Sequence, residues 1–145
     1  MSIEKDAYAY LNITGAGSVD LITAQMELEP DAGWSEGDPR SRNRGLYTFS
    51  SWKFLSGEER GLPLDRHLRS LWKRIEPYKE GLIHLGPEFS RQLTCVATFP
   101  TKDSEITISA GHFSTAAYYR LDLNFDFYFE DDFGHEDLGK GYASW

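Results

Sequence analysis

Leu121-Asp122-Leu123-Asn124-Phe125-Asp126-Phe127-Tyr128-Phe129 sets large apolar residues at every odd position and polar ones at every even position. Side chains alternate faces along a strand, so this spacing predicts a β-strand with one face in a core and one acid-bearing face in water. Glu130-Asp131-Asp132 follows directly, and the remaining chain to Trp145 carries no helical or strand period. The strand therefore ends a folded domain over residues 1–130, and residues 131–145 form an acidic C-terminal tail.

Working back from this strand, Gly111 to Arg120 reads as a short helix, with Phe113, Ala116 and Ala117 on its buried side. Glu105 to Ala110 alternates Ile106 and Ile108 with polar residues and reads as a strand. Pro100 to Ser104 is the turn that would pair it as a hairpin with a strand over Phe89 to Phe99. Pro63 suits a helix start. Leu64, Leu68, Leu71, Trp72 and Ile75 then follow helical spacing, with Arg66, Arg69, Lys73 and Arg74 opposite. Pro77 should kink or restart that helix. Leu46 to Leu55 reads as another strand.

At the start of the chain, Ala7, Ala9, Leu11 and Ile13 alternate with Tyr8, Tyr10, Asn12 and Thr14, which predicts a strand. Ser18 caps a following helix, with Asp20 in its first turn. Asp31 to Arg44 is the longest irregular stretch. The order is β-α-β-α-β-β-α-β. We expect an α+β fold: one mixed, mainly antiparallel sheet with helices on one face. Its last six elements would form a ferredoxin-like β-α-β-β-α-β unit, preceded by an extra β-α.

A chain of 145 residues with a net charge of −8 is long enough for one real core, and its charge disfavours nucleic acid or an anionic membrane as partner. A basic protein surface is the better match. No apolar run reaches membrane-span length, and the first residues lack a secretory pattern. A single cysteine excludes an internal disulfide. The expected location is the cytoplasm.

No catalytic constellation stands out. Cys95 lies in phase with Leu93, Ala97 and Phe99 and reads as a small buried hydrophobe. His67, beside arginines on a helix, reads as a solvated surface residue. His84, His112 and His135 make no metal-ligand spacing. His135-Glu136-Asp137 lacks the alternation of a calcium loop and reads as solvated tail. No metal or cofactor is expected, and no enzymatic activity.

Two groups remain as candidate partner-binding residues. Asp122, Asp126 and Glu130 form a row on one strand face, continued by Asp131 and Asp132. Trp34 and Asp38 form a second patch in the irregular stretch. Arg40, Arg42 and Arg44, close to that patch, are suited to a phosphate or carboxylate, although no glycine-rich loop completes a phosphate cradle.

Several segments together carry a family likeness. They are Ala9-Tyr10-Leu11-Asn12-Ile13-Thr14-Gly15, Leu28-Glu29-Pro30, Trp34-Ser35-Glu36-Gly37-Asp38, Ser51-Trp52, Ile75-Glu76-Pro77 and Asp126-Phe127-Tyr128. The chain resembles the bacterial domain of unknown function 4279 family up to about Glu130. That resemblance carries no catalytic residues. It implies a small cytoplasmic protein and, for some members encoded beside polymorphic toxins, a role as an immunity protein. The leading expectation is an immunity-type protein that binds a basic toxin domain through its acidic surface. The alternative is a small-molecule-binding or enzymatic domain with its site under the Asp31-to-Arg44 loop.

Overall fold

A computed structural model describes residues 6–130. The expectations for Asp131, Asp132, His135 and the tail lie outside the described residues. The first strand, β1, spans Asp6–Gly15, and helix α1 spans Val19–Met26. A short β2 at Ala32–Trp34 and β3 at Ser50–Leu55 follow. The long helix α2 covers Leu64–Ile75, and α3 covers Lys79–Ile83. Then come β4 at Ser90–Phe99, α4 at Ala110–Tyr118 and β5 at Asp122–Phe129.

The strands form one sheet in the order β2-β3-β1-β4-β5. All neighbours are antiparallel except β4 and β5, which run parallel. The fold is thus α+β on a mixed, mainly antiparallel sheet. β1 and β2 run the same way with β3 between them. β3 and β4 run the same way with β1 between them. The β-α-β-β-α-β run therefore occupies the first part of the chain, from β1 to β4, and the extra α-β pair follows it.

This corrects the expected placement, and the reason lies in residues 105–109, which form no strand. Ile106 and Ile108 do pack against the core, which explains their alternation. But β4 already has β1 along one edge and β5 along the other, so no hydrogen-bonding edge is left for a hairpin partner. The strand expected over Leu46 to Leu55 begins only at Ser50, and the missing partner is β2.

Local chemistry explains the elements that were legible. The Ser18 hydroxyl accepts the Asp20 N–H at 3.1 Å and caps α1. Pro63 precedes α2, and its carbonyl accepts the Arg66 N–H at 3.0 Å. α2 ends at Ile75, one 3-10 turn carries Pro77, and α3 restarts the helical path. The core lies between the sheet and its helices. Ala9, Leu11 and Ile13 of β1, Trp52 and Phe54 of β3, and Leu93, Cys95 and Ala97 of β4 meet Leu64, Leu68, Leu71 and Ile75 of α2 there.

The opposite sheet face is polar and aromatic. It carries Trp34, Ser51, Lys53, Tyr10, Asn12, Thr94, Asn124 and Asp126 in register across the strands.

Candidate functional site

β5 is an outer strand, and its alternation sorts as the sequence predicts. Asp122, Asn124 and Asp126 are exposed on the polar sheet face. Leu123, Phe127 and Phe129 are half-buried on the helix side. Phe125 shares that side but remains 41% exposed, beside the 43% exposed Phe113 of α4 at a ring separation of 6.5 Å. The Tyr128 hydroxyl donates to Asp126 Oδ2 at 3.1 Å. The charge of Asp126 also helps to raise the pKa of Tyr10 two strands away, behind the larger effects of burial and of Tyr8. Glu130 is half-buried just past the strand end.

Trp34 and Asp38 stand at the other edge. From β2 to β5 the sheet takes four steps, so the two predicted patches lie about 19 Å apart at ~4.8 Å per strand. They stand at opposite edges of the same sheet face. Moreover, the Trp34-to-Asp38 motif acts as a chain of anchors. The Trp34 indole donates to the Phe49 carbonyl at 2.9 Å. The Ser35 hydroxyl accepts the Val19 N–H at 2.8 Å, and the Glu36 carboxylate accepts the Gly17 N–H at 2.7 Å. The first satisfies a donor at the start of α1 that the helix itself leaves open, and the second ties down the residue just before the cap. Gly37 adopts φ +92°, a conformation costly for other residues, while its N–H bonds the Tyr47 carbonyl at 2.8 Å. The Asp38 carboxylate accepts the Ser35 N–H at 2.8 Å and closes a tight turn. Asp38 is exposed, but its charge is engaged locally.

These anchors hold the 35–49 loop over β2 and enclose a groove of about 800 Å³. Its lining includes Trp34, Arg40, Arg42, Arg44, Tyr47 and Lys53. Trp34 and Tyr47 stack at 4.1 Å and 13°. Lys53 sits 5.2 Å from the Trp34 ring and Arg40 sits 5.7 Å from the Tyr47 ring, so cations bracket the stacked pair. Burial lowers the Lys53 pKa. Gly33 is required beneath the groove because a Cβ there would lie 2.3 Å from the Ser51 carbonyl oxygen. The sequence reading found the arginines and Trp34 but missed Tyr47 and Lys53. The available signal was a lysine in the middle of the strand Ser50–Leu55.

The histidines depart from expectation. His67 is not on the surface: it is fully buried, with Nδ1 2.7 Å from the Ser56 hydroxyl. The apolar stripe of α2 rotates it inward beside Leu64, Leu68 and Leu71. Burial pushes its pKa down, against smaller opposing effects of the Glu59 and Leu62 backbone and the Glu58 carboxylate. Ser56 is only 4% exposed, which leaves this pair no access to a substrate. His112 accepts the Trp72 indole N–H at Nδ1, 3.0 Å, so the other ring nitrogen carries the proton that bonds Asp65 Oδ1 at 2.7 Å. Both ring nitrogens are thereby engaged, and the chain Trp72-His112-Asp65 ties α4 to α2. The hydrogen bond from His112 is the main cause of the depressed Asp65 pKa. Cys95 is buried, and desolvation pushes its thiol up to about 12, far from a reactive thiolate. Among the described residues no group of three histidine, cysteine or acidic side chains is placed to hold a metal ion. Among them, too, no helix is long and apolar enough to cross a membrane.

A family profile described as a domain of unknown function, DUF4279, matches residues 5–130. The chain belongs to this family. The match ends with β5 and covers both sheet edges, so the DUF4279 region includes the acidic strand and the cationic groove alike. No curated protein matches the chain, and no solved structure does.

Proposed function

We propose that this DUF4279 protein is a non-enzymatic binding module of the immunity type, which neutralises a cognate toxin domain by capturing its basic surface. The observation that carries the reading is the outer strand β5, which holds Asp122 and Asp126 exposed on one face and Phe125 exposed on the other. Exposed aromatic area supplies contact energy, and a single-sign row of charge steers a basic partner to it. The net charge of −8 acts in the same direction at long range. The engaged histidines and the inert Cys95 support a role without catalysis. The partner class follows from the expectation that some members of this family are immunity proteins encoded beside polymorphic toxins. Asp131 and Asp132 would extend the same acidic surface, and the protein would act in the cytoplasm.

The test is co-expression with the toxin domain encoded beside the gene. Growth protection and co-purification are expected; a toxin that kills undiminished and elutes alone overturns the reading.

A second reading, a small-molecule or enzymatic site under the Asp31-to-Arg44 loop, is favoured by the groove of about 800 Å³ against β2.

A further inference from the structure

We infer that the groove under the 35–49 loop is a binding site for a small molecule carrying clustered anionic groups, either phosphates or carboxylates. This inference is independent of toxin binding at β5, which lies across the sheet.

The first argument is the local inversion of charge. The chain has 23 acidic residues against 15 lysines and arginines, yet the groove is lined by four of those cations and by no acid. Arg40, Arg42 and Arg44 form no ion pair with any carboxylate among the described residues. The arginines of α2 and its N-terminal flank each find one, Arg60 with Asp6, Arg66 with Glu58, Arg69 with Asp65 and Arg74 with Asp31, whereas Arg91 and Arg120 share the loop arginines' lack of an ion pair among the described residues.

The second argument is that the loop backbone sets all three arginines along the groove. Arg42 and Asn43 adopt φ +60° and +55°, the left-handed region, which asparagine tolerates but which is unfavourable for arginine. The loop is closed by the Arg40 N–H to the Gly45 carbonyl at 2.8 Å and by the bridge between Pro39 and Leu46. The loop thus carries three exposed arginines along one groove, open to a counter-charge.

The third argument sets the ligand class. The faces of the Trp34-Tyr47 stack are occupied by each other and by Lys53 and Arg40. A planar ring therefore finds no open platform, and recognition falls to the guanidinium forks. These match phosphate and carboxylate oxygens in pairs. Three forks on one short loop call for more than one anionic group on the ligand. The volume lies in the range of small-molecule sites.

The test is calorimetric titration of the full chain with inorganic tripolyphosphate and, separately, with citrate, at low salt. Saturable binding that weakens as salt rises is expected for at least one of them. Arg42→Gln and Arg44→Gln should each weaken it by about tenfold, the loss of one charged hydrogen-bonding group. Lys73→Gln, on the exposed side of α2, should leave it unchanged. Tripolyphosphate preferred over citrate assigns phosphate chemistry, and the reverse assigns carboxylate chemistry. Binding of neither probe overturns the inference. So does binding that survives in the Arg42→Gln and Arg44→Gln variants while their thermal unfolding matches the parent.

Discussion

At the scale of single residues, His67 shows how far placement outweighs residue type. A histidine flanked by Arg66 and Arg69 reads as surface, yet its helical angle groups it with Leu64, Leu68 and Leu71. The buried ring favours the neutral form, so its pKa lies below the ordinary value. Its unfolded-state value of about 6.5 sets the window: stability is full above that pH and declines as pH falls from there through the folded pKa. Urea midpoints measured from about pH 7 down to about pH 5 should fall for the parent and stay flatter for His67→Gln. The carboxylates with depressed pKa, Asp65 among them, act in a separate window below about pH 4. Asp38 poses the converse case. Sequence reads it as a partner-binding residue, and in the fold its carboxylate closes the turn at Ser35 while the residue stays exposed. Asp38→Ala should lower stability by about 1 kcal/mol, read by chemical denaturation.

At the scale of elements, strong periodicity was legible and weak edges were not. β1, α2, β4 and β5 each carry a long alternation or helical stripe, and each stands close to where the spacing puts it. β2 has three residues inside a stretch rich in glycine and proline, too short to show a period. Residues 105–109 alternate because Ile106 and Ile108 reach the core, but a strand also needs a neighbour with a free edge. That information is global, and no local pattern contains it. α2 covers the core with Leu64, Leu68, Leu71 and Ile75. Leu71→Ala there should cost about 2–5 kcal/mol in denaturant titration, the range for a fully buried leucine.

At the scale of the whole molecule, the sheet separates opposite charges. A cationic groove lies along β2, and an acidic, partly aromatic strand forms the far edge. Both sets of residues were visible in the sequence, as Arg40, Arg42 and Arg44 and as Asp122 and Asp126. Their separation was not, because it follows from the strand order, which the misplaced hairpin obscured. At about 19 Å the two edges share no partner, so charge changes at each should add within about 0.5 kcal/mol in stability. Thermal unfolding of Arg42→Gln, Asp122→Lys and the double variant checks this.

In the proposed function the acidic edge is the surface that a basic partner reads. The most direct measurement is the association rate with the cognate toxin domain, taken across a salt series for the parent and for Asp122→Lys/Asp126→Lys. The account predicts slower association for the double variant and a shallower salt dependence. Equal rates and equal salt slopes in the two proteins would contradict it.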